Sequence, residues 1–317
     1  MYINFGIVDG QHAYGESPAP MRMVSSFDPQ LFANIDDYAE ALLNGNGYSL
    51  HKYTPVECAQ WLEDFSRTGS MCLESARSTV ADPNAPAFRR LYIDTAIQCR
   101  LGLFFGCKFR SAVLWSIYRK TNDPEAKSAA LEKYRSARQA WIELAELASV
   151  YKRLTYGTSS GHWSDRIEGI TRDIDAMEAA AFSSVTDITT HPGEAASAIA
   201  AALGRPTRPD AGTVHTPPER FNPETSLPLF VRVDHAVIAV QLYYRHVNQA
   251  EPWQSVEMTR TGDGFRADIP AEYARTIYPL QYYFGVSKGK AGDTIVPGFD
   301  GLLASQPYYV VRSVLRS

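Results

Sequence analysis

The sequence predicts an α+β chain in two parts: a bundle of long antiparallel helices, then a small β-sandwich. Three observations predict it. Apolar residues recur every three or four positions up to about residue 180, a proline-rich stretch follows, and from residue 227 the apolar period becomes two. The expected organisation is an irregular arm over 1–27, a helical bundle over 28–182, a linker with one short helix over 183–226, and a sandwich over 227–317.

The helices are marked by their starts and stripes. Asp28-Pro29 opens a short first helix that stops near Gly45 and Gly47. Thr54-Pro55-Val56-Glu57 reads as a capping box with proline at the first helical position. Behind it Cys58, Leu62, Phe65, Gly69, Cys72 and Ala76 form one stripe of alternating four and three steps. A third helix over 87–120 is apolar nearly all round in its middle, as a central helix must be. Asp123-Pro124-Glu125 caps a fourth, whose stripe is Ala130, Tyr134, Ala137, Trp141, Leu144, Ala148 and Tyr151. A fifth shows the same rhythm in Trp163, Ile167, Ile170, Ile174 and Met177. Such stripes with short links specify an antiparallel bundle.

The chain changes character at 183–226, where His191-Pro192-Gly193 precedes an alanine-rich stretch and then prolines at 206, 209, 217, 218 and 223. This reads as a small helix followed by an extended, semi-rigid linker. Beyond it, Ile238, Val240, Leu242 and Tyr244 alternate with their neighbours, and so do Val256 and Met258. Thr261-Gly262-Asp263-Gly264 reads as a hairpin turn before Phe265, Ala267 and Ile269. Leu280, Tyr282, Phe284 and Val286 make another strand, and 308–314 the last. About six or seven short strands in about 90 residues is the pattern of an immunoglobulin-like or fibronectin-III-like sandwich.

Composition narrows the function. The 317 residues carry a net charge of −4, and no basic face of a nucleic-acid binder is evident. No apolar run approaches the ~20 residues of a membrane span. The start, Met1-Tyr2-Ile3-Asn4-Phe5, lacks a signal-peptide pattern, so the chain as written is expected to be cytoplasmic. Cysteines at 58, 72, 99 and 107 show no zinc spacing and read as small buried hydrophobes. No cofactor or metal is expected: Gly289-Lys290-Ala291-Gly292 lacks the phosphate-loop spacing, and neither HExxH nor an EF-hand loop occurs.

No catalytic residue is assigned. Gly157-Thr158-Ser159-Ser160-Gly161 fits G-x-S-x-G, but that motif needs a strand before it and a helix after it within a parallel sheet; a flexible loop between helices fits better here. The candidate ligand-binding residues are His162, Trp163, Asp165 and Arg166 at a helix start, with Trp253 and Tyr283 in the sandwich. Trp163 could stack on a sugar while Asp165 or Arg166 bonds its hydroxyls. The plainer reading is that Ser164 caps the helix, Asp165 complements its positive end and Trp163 anchors the loop. The pairs Tyr243–Tyr244, Tyr282–Tyr283 and Tyr308–Tyr309 each place one ring outward, for a carbohydrate platform or for domain packing. Asp94, Gln98, Lys108 and Arg110 interrupt an apolar helix, where they line a pocket or pair within the bundle.

The run Asp28-Pro29-Gln30-Leu31-Phe32 through Tyr53-Thr54-Pro55-Val56-Glu57-Cys58-Ala59-Gln60-Trp61-Leu62-Glu63 resembles the region that follows the catalytic barrel in large bacterial glycoside-hydrolase-like proteins. Phe109-Arg110-Ser111-Ala112 to Trp141, Gly161-His162-Trp163-Ser164-Asp165-Arg166 and Pro307-Tyr308-Tyr309-Val310-Val311 are similar to the same C-terminal accessory region. The resemblance covers most of the chain and carries no catalytic motif. It implies a non-catalytic accessory region of a carbohydrate-active protein, whose partner is a carbohydrate ligand or a catalytic domain lying elsewhere. A protein-interaction scaffold is the alternative, and a stand-alone hydrolase using the His162 region is the second.

Overall fold

The computed structural model describes residues 31–45, 51–151, 154–156, 159–180, 192–248, 250–289 and 292–314. The chain divides into a helical unit, Met1–Tyr48 with Tyr53–Pro206, and a β unit, Ser49–Lys52 with Thr207–Ser317. The arm expected over 1–27 and the Asp28-Pro29 helix start lie outside the described residues.

The helical unit opens with α1 (Ile35–Leu43), where Asn34 Oδ1 accepts from the Asp36 N–H at 2.8 Å. It ends at Asn44–Gly45, with Gly45 at φ +64°. At α2 (Pro55–Thr79) the capping box forms as the sequence predicts: Thr54 Oγ1 accepts from the Glu57 N–H, and Glu57 Oε2 from the Thr54 N–H at 2.8 Å. The central helix α3 (Pro86–Thr121) is buried at every residue from Gly106 to Tyr118. Asp123 then accepts from the N–H groups of Glu125 and Ala126 to start α4 (Pro124–Ala148). The α4 stripe from Ala130 to Ala148 faces the core as read from its spacing.

Packing of α3 on α2 departs from the apolar stripe. A Cβ at Gly102 would stand 3.2 Å from the Leu62 carbonyl oxygen, one at Gly106 3.0 Å from that of Ala59, and one at Gly69 2.6 Å from Cys99 Sγ. The two antiparallel backbones thus touch through glycines, and van der Waals contact at that distance turns the seam towards Ala59, Glu63 and Ser66. The predicted stripe is split. Cys58 is buried, but Phe65 is 44% exposed, and Cys72 and Ala76 lie open. Cys72 therefore departs from the buried reading that Cys58, Cys99 and Cys107 keep.

After α4 comes a two-stranded antiparallel hairpin, β1 (Leu154–Tyr156) and β2 (Ser159–Gly161), then a single 3₁₀ turn (Trp163–Arg166) and α5 (Ile167–Ala179). Ile170, Ile174 and Met177 are buried as expected, while Trp163 sits on the turn and not on the helix. The helix read within 183–226 is α6 (Pro192–Leu203). It packs on α1 and α3 through Ala195, Ala198 and Ala202 and belongs to the helical unit. Arg110 holds its end: Nη1 donates to the carbonyls of Ala202 and Gly204 at 2.8 Å each, while Nε and Nη2 bond Glu63 at 2.6 and 2.9 Å. Helix-end carbonyls need such donors.

The β unit holds two sheets around one apolar core. One contains β3 (Thr213–Val214), β5 (Leu227–Val233), β9 (Gly264–Ile269) and β8 (Thr259–Thr261), in that order. The other runs β4 (Arg220–Phe221), β12 (Tyr309–Ser313), β10 (Leu280–Ser287), β6 (Ala239–His246) and β7 (Gln254–Glu257), with β11 (Asp293–Val296) beside β10. Among the described residues of this unit, only the β4–β12 strand pair is parallel. The expected hairpin joins β8 to β9, with Gly262 at φ +61°. Leu229 and Val231 of β5 point inward with Val240, Leu242, Tyr282 and Phe284. The fold class is thus α+β, a helical region and then a two-sheet region. Among the described residues no helix is long and apolar enough to cross a membrane.

Candidate functional site

The 162–166 segment is shaped by the hairpin before it. Ser159 lies on β2, opposite Tyr156 in an antiparallel pair, so Ser159–Gly161 of the G-x-S-x-G run form a strand and not the turn between strand and helix that the elbow needs. Gly157 and Thr158 lie outside the described residues. His162 is extended at φ −109°, and its N–H donates to Asp165 Oδ2 at 2.7 Å. The cap thus comes from Asp165, three residues on, and not from Ser164. A side chain at 161 would crowd that carboxylate, since a Cβ there would stand 2.9 Å from Asp165 Oδ2.

Trp163 is half-buried against the cluster of Ile97, Leu144 and Ala148. Its ring meets that of Trp141 edge-on at 5.2 Å, and its carbonyl accepts from Trp141 Nε1 at 2.8 Å. His162 and Asp165 are exposed and Arg166 is half-buried. The turn brings four of the predicted residues together, with Trp163 spent on anchoring and Asp165 on capping.

The other two candidates meet in the β unit. Trp253 and Tyr283 stand edge-on at 4.9 Å, Tyr283 stacks on Tyr243 at 4.7 Å, and Tyr308 lies 6.1 Å from Trp253. Arg245 places its guanidinium 4.3 Å over the Trp253 ring and donates to the Glu251 carbonyl. With its carboxamide oxygen assigned towards that guanidinium, Gln281 accepts from it too. Trp253 is 6% exposed and Tyr283 0%, so neither ring is open as the carbohydrate platform that is one of the two readings of the aromatic residues. Alternation does put Tyr283 on the face opposite Tyr282, but β10 is buried on both faces.

Of the polar residues that interrupt α3, Asp94 and Gln98 are exposed, Arg110 caps α6, and Lys108 is fully buried. Lys108 Nζ lies 5.4 Å from the ring centres of both Phe104 and Tyr134. Burial pushes its pKa down to about 7, against the pull of Asp173. Asp173, on α5, is raised by burial and accepts from the Tyr134 hydroxyl at 2.6 Å. Sequence reasoning missed Asp173, although it lies three after Ile170 and four before Met177, on the buried face. A neutral lysine is a competent nucleophile or base only where a ligand reaches it. Here it is sealed in the core.

Two further polar groupings belong to the β unit. Glu251 accepts from the Tyr273 hydroxyl and holds His246 Nδ1 at 2.9 Å, while the His246 and Tyr273 rings stack at 4.5 Å. A cavity of about 310 Å³ opens between Pro218, Pro228, Phe230 and Arg232. Both ring nitrogens of His215 on its wall are engaged, by the Phe230 carbonyl at 2.7 Å and the Tyr282 hydroxyl at 2.9 Å. Among the described residues, no group of three or more His, Cys, Asp and Glu side chains could hold a metal ion. Comparison with protein-family models and with curated proteins found no match to this chain.

Proposed function

We propose that this chain is a non-catalytic accessory region of a bacterial carbohydrate-active protein, serving to support a catalytic domain. One observation carries the reading: four of the six aromatic and polar side chains best suited to hold a sugar are used by the fold itself. Trp163 anchors a turn under Trp141, Asp165 caps it, and Trp253 and Tyr283 are buried beside Arg245. The β unit is read as an immunoglobulin-like sandwich. Its strand orders, β3-β5-β9-β8 and β4-β12-β10-β6-β7, support this by following the ABED and GFC orders of that fold. The accessory role itself rests on the resemblance to regions that follow glycoside-hydrolase barrels. Sequencing the transcript and its neighbouring genes tests it. A glycoside-hydrolase barrel in frame or adjacent is the expected result, and its absence from both would remove the accessory reading.

A protein-interaction scaffold is the second reading, favoured by the open outer part of the α2–α3 pair. Phe65 is 44% exposed, Met71 67% and Leu91 62% on those two helices. Exposed large apolar side chains of this kind suit an amphipathic partner helix.

A further inference from the structure

The β unit includes a short piece of chain from far upstream, residues 51 and 52. His51 has φ +49°, unusual for a side-chain-bearing residue, and its side chain is only 12% exposed. Its ring occupies the place where a side chain on β10 would stand. A Cβ at Gly285 would lie 2.3 Å from His51 Cγ and 2.5 Å from Nδ1, so glycine is what admits the imidazole. Nδ1 then shares a hydrogen bond with the Tyr243 hydroxyl at 3.2 Å and Nε2 with Ser287 Oγ at 3.0 Å. Beside it, the Arg208 guanidinium donates to the Lys52 carbonyl.

We infer that residues 51–52 form a proton-released strap, in which the neutral His51 ring clips this segment over Gly285 and protonation of the ring unseats it. A neutral imidazole has one donor and one acceptor nitrogen, and the two hydroxyls satisfy both in either tautomer. The imidazolium must instead place a charge in a nearly closed site. The charged and titratable neighbours are Tyr243 on β6, Asp293 on β11 with Oδ2 3.8 Å from Nε2, and Arg208. Lys288, just past the end of β10, is paired to Asp234 at 2.8 Å. Burial holds the ring below its ordinary range, Arg208 adds to the depression, and Asp293 opposes it without reversing it. A depressed folded value means the free segment binds the proton more readily. The clasp is therefore at full strength above about pH 6.5, the ordinary imidazole value, and weakens as pH falls through the folded value.

The test is a histidine side-chain NMR titration of the full chain from pH 8 to 5, with Gly285 and Tyr243 signals followed in parallel. The wild type is expected to titrate His51 with a midpoint below about 6.5. Ring-to-Gly285 cross-peaks should be present at pH 7.5 and lost at the acid end. In His51→Gln the Gly285 and Tyr243 signals should be pH-independent. In Gly285→Ala the cross-peaks should be absent at both pH values. A wild-type midpoint at or above 6.5, or cross-peaks that persist once the ring is protonated, would overturn the strap whatever the variants do.

Discussion

Replacing Trp141 by alanine tests whether the 162–166 turn is part of the helical core. Trp141 is 3% exposed, lies 4.7 Å from the Phe104 ring and 5.2 Å from that of Trp163, and donates from Nε1 to the Trp163 carbonyl. Removing a buried tryptophan ring costs about 3–5 kcal/mol in lost burial and residual cavity. For a helical unit of this size that corresponds to a fall in Tm of roughly 6–20 °C. Trp141→Phe keeps most of the ring packing and loses the indole donor, so about 1–2 kcal/mol is expected. Urea unfolding followed by circular dichroism at 222 nm, which reports mainly the helices, reads both values. Trp163→Ala combined with Trp141→Ala should cost less than the sum, by about 0.5–1.5 kcal/mol, because the two rings touch. If Trp141→Ala unfolds like the wild type, or if the two substitutions add fully, the turn is not anchored as described.

Four more outcomes are expected. Thr54→Ala should cost about 1 kcal/mol in the same urea assay, since it removes one arm of a capping box. Gly106→Ala should destabilise by about 1–3 kcal/mol despite better helix propensity, because its Cβ would press on the Ala59 carbonyl. Gly193→Ala, with open space at its Cβ, should be neutral or gain up to about 1 kcal/mol. For Lys108, a folded pKa of about 7 lies below the ordinary lysine value, so the unfolded chain binds the extra proton between those limits. Its contribution therefore rises with pH above about 7 and is lost as pH falls through it. Urea midpoints at pH 7, 8 and 9 should show a steeper rise in the wild type than in Lys108→Met, and equal slopes would contradict the assignment.

Much of the fold was legible because its signals are local. The Thr54–Glu57 box, the Asp123 cap, the α4 stripe and the 261–264 hairpin each depend on a few neighbouring residues, and each formed where the spacing put it. What stayed illegible depends on contacts distant in sequence. Gly102 and Gly106 carry no side chain for an apolar stripe to register, yet they bring α3 against the α2 backbone and leave Phe65 and Cys72 outside. The alanine-rich α6 read as part of a linker, because nothing near it reveals that Arg110, 92 residues away, caps its end. For Tyr283 the choice between a carbohydrate platform and domain packing stayed open, since alternation gives the face of a strand, not what covers that face. In the turn, both the sugar-holding and the anchoring readings fitted the residue types, and the indole-to-carbonyl bond between Trp141 and Trp163 spans 22 residues that spacing does not relate.

The central claim is that these side chains serve the fold and not chemistry. Titrating the full chain with a panel of plant and bacterial polysaccharides, while following tryptophan fluorescence and released sugar together, tests it most directly. The account predicts no released sugar and no saturable quenching that Trp163→Ala or Trp253→Ala abolishes. Turnover that is lost in Ser159→Ala or His162→Ala, with folding intact by circular dichroism, would contradict it.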